Sequence, residues 1–171
     1  MTSKLMATML VAALATIVAV PAFATSFASW QSVSDSNIST GNGMTTFTIN
    51  AGDTIPIKTN VLGGFGWFYA DGPNTVFAVT THNGVQDSVQ NPNGWHVHNV
   101  QLTGETPVSA TACIGSVSDV TTAGISIHGN TLNVNVPNTK LTGSLKQGAV
   151  AFSIVGDGGC GSGLGVLVNT S

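Results

Sequence analysis

Ile125-Ser126-Ile127-His128-Gly129-Asn130-Thr131-Leu132-Asn133-Val134-Asn135-Val136 decides the fold class. Apolar and polar residues alternate on both arms, the period of a half-buried strand. Gly129-Asn130 can take the positive φ that a two-residue hairpin turn demands. Leu132, Val134 and Val136 share the face to be buried, and Asn133 and Asn135 point the other way. Pro137 has no amide hydrogen to give, so the strand stops there or lies at an edge.

The same kind of segment recurs on either side. Short runs rich in Val, Ile, Thr and Phe, separated by Gly, Asn, Asp and Pro, predict strands over 44–50, 55–60, 66–70, 76–82, 95–103, 110–117, 124–128, 131–136, 141–145, 149–155 and 164–168. No helical period follows Ala24. The expectation is an all-β domain over 44–171, a Greek-key-like β-sandwich of about 8–10 strands. Residues 25–43 are polar and read as a lead-in arm or an extra edge strand.

Residues 1–24 read as a cleaved signal peptide. Lys4 supplies the positive end, an uncharged apolar run follows, and Ala22-Phe23-Ala24 offers small residues at the two cleavage positions. The run is short for a membrane span of about 20 residues. The expected location is therefore secreted or cell-surface, with no membrane partner after cleavage.

Charged residues make up only 6% of the chain, against about 25% in ordinary soluble domains. The formal charge is −3, and the mature part, having lost Lys4, is one unit more negative. It keeps Lys58, Lys140 and Lys146 and has no arginine. Nucleic acid and anionic lipid both need clustered Lys or Arg, so neither is an expected partner. Thr, Asn, Ser and Gly keep the surface wet through neutral hydrogen-bonding groups. Cys113 and Cys160 are the two cysteines. An even count in an exported chain favours one disulfide, worth about 3–4 kcal/mol for a loop of this length. A two-thiolate metal site is the alternative.

Chemistry concentrates at Trp95-His96-Val97-His98. Two imidazoles one residue apart point to the same side of an extended strand, with Cα atoms roughly 6.5–7 Å apart. If 76–82 and 95–103 are antiparallel neighbours, His82 and His96 lie at the same end of the hairpin and His98 one step deeper. Such a trio suits copper or zinc. Asp87, in the loop between the two segments, is a candidate fourth ligand or a carboxylate that fixes a histidine tautomer. The alternative is a pair of core-rim histidines bonded to backbone, since His96 and His98 share parity with Val100 and Leu102. His128 stands beside a turn and is left out.

Other arrangements are weaker. The acids are scattered singly, and no Gly-x-Ser-x-Gly elbow lies between a strand and a helix, so enzymatic activity is not the leading expectation. Gly156-Asp157-Gly158-Gly159-Cys160-Gly161 suggests a phosphate cradle only superficially. With no helix start or basic residue beside it, a flexible turn tied by the disulfide is the simpler reading. Trp67, Phe68 and Tyr69 read as core aromatics, with sugar stacking as the functional alternative. Asn37-Ile38-Ser39 and Asn169-Thr170-Ser171 match glycosylation sequons.

Gly94-Trp95-His96-Val97-His98 resembles the copper-binding Gly-Phe-His-Val-His strand of copper/zinc superoxide dismutases. That resemblance implies a disulfide-bearing Greek-key sandwich with a His-x-His metal site. Cys160 and the strand Leu164-Gly165-Val166-Leu167-Val168 are similar to that family's C-terminal part, and Gly129-Asn130-Thr131-Leu132 to its Gly-Arg-Thr-Leu. Asn135 stands where a copper histidine would fall, no bridging histidine or zinc loop follows His98, and the active-site arginine has no counterpart. Dismutase activity is therefore not implied. Chordin-type domains share the His-x-His strand, and the whole chain looks like small secreted β proteins of archaeal type. The rival to a copper or zinc site is a non-catalytic structural or adhesive envelope component, self-associating or bound to other envelope proteins. Its polar arm would add as a strand to a neighbour's sheet.

Overall fold

The computed structural model describes residues 27–72, 74–81 and 94–170. They form ten strands: β1 (Val33–Gly41), β2 (Met44–Ala51), β3 (Gly63–Phe68), β4 (Thr75–Thr81), β5 (Trp95–Thr103), β6 (Ala112–Asp119), β7 (Gly124–His128), β8 (Thr131–Pro137), β9 (Val150–Gly156) and β10 (Leu164–Asn169). One 3₁₀ turn, Asn138–Lys140, is the only helical piece among the described residues. None of their helices is long and apolar enough to cross a membrane.

The all-β expectation holds, but the layers differ from an open sandwich. One layer is a four-stranded antiparallel sheet in the order β1-β2-β8-β7. The other six strands close into a barrel, β10-β6-β5-β4-β3-β9. Two long-range pairings make the closure. β9 lies beside β3, with Gly63 opposite Ser153, and β10 returns to β6 through Gly165 opposite Cys113 and Val166 opposite Ala112. Strand alternation looks the same in a barrel and a sandwich, so only these distant pairings distinguish them.

The sheet packs across the outside of β3, β4 and β5. Phe47 and Ile49 of β2 and Leu132, Val134 and Val136 of β8 meet Phe65, Trp67, Phe77, Val79, Trp95 and Val97 in one buried cluster. On the barrel strands these are the odd-numbered positions. The even-numbered ones, Val76, Ala78 and Val100, turn inward and join Ile114 and Phe152 in a second, smaller cluster inside the barrel.

The opening hairpin forms as read. Leu132, Val134 and Val136 are fully buried, and His128 pairs with Thr131 across a two-residue turn. Gly129 takes a φ of 60°, whereas Asn130 keeps φ negative. On the outward face Thr46 and Thr48 donate to Asn135 and Asn133 at 2.7 and 2.8 Å, and Thr131 donates to Asn50 at 2.9 Å. The polar residues of the alternation thus tie β2 to β8.

Two predicted strands are absent. Residues 55–60 form a loop in which Ile55 is buried and Pro56, which has no amide hydrogen to give a ladder, accepts the Trp95 indole N–H at 2.8 Å. Residues 141–145 make a single bridge, Leu145 opposite Tyr69. The polar lead-in supplies β1, the edge of the four-stranded sheet.

The barrel's closing seam is fastened twice. Cys113 and Cys160, 47 positions apart, form the disulfide, and Cys113 is itself a seam residue. Asp157 lies on the same side, buried. Its carboxylate accepts the backbone N–H groups of Val108 (2.9 Å), Ser109 (2.7 Å), Ala110 (2.8 Å) and Gly159 (2.8 Å). Within the stretch suspected as a phosphate cradle, the Gly159 amide is thus taken by Asp157, and the Gly161 amide donates to Glu105 at 2.9 Å.

Candidate metal centre

The β4–β5 pairing expected from the sequence is present and antiparallel, with Thr80 opposite His96 and Ala78 opposite His98. Both histidines sit at even positions of β5, so their rings enter the barrel rather than the core between the layers. Each is only 3% exposed. The strands alongside carry small residues in the same rows. Gly64 lies opposite Thr80 and Gly66 opposite Ala78, so the two cross-strand rows that include the histidines carry Gly, Ala or Thr on β3 and β4. Deeper in, Val76 and Val100 face each other across the same two strands. The barrel is stratified, with imidazole at one end and hydrocarbon beyond it.

The rings lie edge to face, with centroids 4.7 Å apart and planes at 84°. His96 Nδ1 is 2.9 Å from the carbonyl oxygen of Gly94. A carbonyl only accepts, so this contact places the proton on Nδ1 and leaves Nε2 as the basic nitrogen. His98 Nδ1 lies 3.0 Å from Asp119 Oδ1. Asp119 is opposite His98 at the end of β6 and is 44% exposed, so the histidine end of the barrel reaches solvent on that side. Thr80 is equally buried, and its Oγ1 has no hydrogen-bond partner. An unpaired hydroxyl in such a place costs about 1–3 kcal/mol. A polar guest between Thr80 and the imidazoles would relieve that cost.

Among the described residues no three His, Cys, Asp or Glu side chains gather closely enough to hold a metal ion by themselves. His82 and Asp87, named from the sequence, lie outside the described residues. His128 is exposed at its turn. Burial counts against the aromatic stacking alternative at two of its three residues. Trp67 and Tyr69 are buried, and the Trp67 ring packs against Phe47 and Phe77 with centroids 4.9 and 6.2 Å apart. Phe68 turns toward the barrel interior. Trp67 and Tyr69 offer no open ring face to a sugar, and Phe68 is half-buried. The two-thiolate site is likewise replaced by the disulfide.

No family model, curated protein or solved structure matches this chain. The site therefore rests on its own geometry. Sequence reading missed two of its members. Thr80 was recoverable, since it shares parity with Val76 and Ala78 and falls opposite His96 once the hairpin register is set. Asp119 was not, because an irregularity between Gln101 and Leu102 shifts the β5–β6 register.

Proposed function

We propose that the protein is an exported copper- or zinc-binding β protein whose ion sits at the solvent-reaching end of the barrel, held by His96 and His98. The observation that carries this reading is the burial of two imidazoles on one face of β5, among side chains no larger than threonine on β3 and β4. Buried polar side chains of this kind are retained in an apolar interior when they have partners. The Gly94 contact supports the His96 tautomer a metal needs, and Asp119 stands beside His98, within ion-pair distance. Thr80, opposite His96, would offer its unpartnered Oγ1 to a water on the ion. An open coordination position would give the ion a role in binding or chemistry as well as in structure.

The test is equilibrium titration of untagged protein with Cu(II) and Zn(II). The expected result is one equivalent bound, with affinity at least about a hundredfold weaker in His96→Ala/His98→Ala and about tenfold weaker in Asp119→Asn. Affinity should also fall as pH is lowered from about 7 to about 5, because ligation needs neutral imidazole. Equal affinity in the double variant and the parent would dispose of the site.

A further inference from the structure

The four-stranded sheet ends on both sides in an open strand. Among the described residues nothing pairs with the outer side of β1 or of β7. A contact from another segment, the Ala149 amide to Ser36 Oγ at 2.9 Å, uses a side chain rather than the strand's backbone. Monomeric β proteins protect such edges with lysines, prolines or inward-pointing charges. Here β1 carries no charged residue and no proline from Ser36 to Gly41, and β7 carries neither at all. The single acid of β1, Asp35, stands at the irregularity near its start.

Strand direction and register add a second, independent constraint. Each neighbour in β1-β2-β8-β7 is antiparallel, so β1 and β7 run in opposite directions. A second copy laid beside the first in the same orientation would set its β1 antiparallel to β7, the relation used throughout the sheet. The cross-strand rows also run straight from edge to edge. Ile38, Phe47, Val134 and Ile125 form one row, and Asn37, Thr48, Asn133 and Ser126 the next. Continued without slip, the first row sets Ile125 beside the next copy's Ile38, and the second sets Ser126 beside its Asn37. Inward-facing positions meet inward-facing ones, and outward meet outward. Ile38, Ile125 and Ile127 are each only half-buried at the border of the inter-layer core, and the junction covers them.

We infer that the protein self-associates head to tail, β7 of one copy adding to β1 of the next, so that the four-stranded sheets join into a continuous antiparallel sheet. Two different surfaces meet, so the contact is heterologous; copies joined in one orientation along a continuous sheet propagate as an open chain rather than a closed ring. This inference does not depend on the metal site, and chelator leaves the assembly intact.

The test is light scattering after size exclusion, with electron microscopy, on the purified protein at about 1–100 µM. The parent should grow in mass with concentration and form chains. Asn37→Lys/Ser126→Lys puts like charges across the junction and should weaken association at least about tenfold. Asn37→Lys/Ser126→Glu pairs opposite charges there and should restore it. Both positions lie on the outward face of the sheet, and far-UV circular dichroism confirms the fold of each variant. A parent that stays monomeric throughout this range would overturn the inference. So would two charge variants that associate alike, or assembly that responds to Asn37→Lys but ignores Ser126→Lys, the mark of symmetric β1–β1 pairing.

Discussion

The core between the two layers and the seam that closes the barrel solve the same problem by different means. Between the layers, two broad surfaces meet, and aromatic rings fill the gap. Phe47 stacks on Phe77 at 4.3 Å, and Trp30 and Phe65 each pack against Trp95. No covalent link or ion is needed there. At the seam, β10 meets β6 through two residue pairs only. So short a ladder gains little, and the chain adds a disulfide and a buried carboxylate beside it. Where packing area is plentiful, apolar burial alone suffices; where pairing is short, a fastener takes its place. The seam matters for the site, because the histidines are buried only while the barrel is closed.

The largest expected effect breaks the seam. Cys113→Ser/Cys160→Ser frees a loop of 47 positions, and the unfolded chain gains entropy worth about 3–4 kcal/mol. Denaturant unfolding should show that loss, and the β10–β6 amides should exchange before those of β2 and β8. A uniform increase in exchange over both sheets would mean that the seam has no separate stability.

A smaller effect sharpens the comparison through Asp157. Its carboxyl is held far below the ordinary value of 3.8, chiefly by the Val108 N–H, then by those of Ser109, Gly159 and Ala110, with burial opposing them. Because the folded-state pKa is depressed, its contribution is complete above about pH 4 and drains away as pH falls toward the folded value. Asp53 is shifted in the same direction by Ser29 and Thr54, but on the surface, where such contacts count for little. Asp157→Asn turns a group that only accepts into one that also donates, against amides that can only donate. It should lower Tm at pH 7 by about 5–10 °C. Its stability should then vary less than the parent's between pH 4 and 2. Parallel pH profiles for parent and variant would assign the acid sensitivity elsewhere.

This contrast also explains what could be read from the sequence. The hairpin from Ile125 to Val136 was legible because alternation and turn chemistry are local, and so was the antiparallel placing of β5 beside β4. The disulfide followed from a count of two. Barrel closure was not legible, since Gly63 opposite Ser153 and Gly165 opposite Cys113 are matters of distant register with no local signature. Asp157 looked like one more turn residue in a glycine-rich stretch, because its partners at 108–110 lie nearly fifty positions away. At the site, His96 and His98 stood out by chemistry. The small residues that share their rows, Ala78 on the neighbouring strand and Gly64 and Gly66 one strand further, are recognisable only once the register is known.

The smallest effect tests whether the inter-layer core relies on shape alone. The Trp67 indole N–H is buried with no hydrogen-bond partner. Burying it unpaired costs about 1–3 kcal/mol, which the packing of the ring against Phe47 and Phe77 must outweigh. Trp67→Phe removes that orphan donor and leaves a ring in the same slot. It also removes part of a large side chain, and the space left behind carries a cost that rises with its volume. The two changes oppose each other, so the variant should lie within about 1 kcal/mol of the parent by denaturant unfolding. Trp67→Ala keeps no ring at all and should lose about 3–5 kcal/mol. If Trp67→Phe costs as much as Trp67→Ala, the indole N–H has a partner in solution, and this core is not held by apolar packing alone.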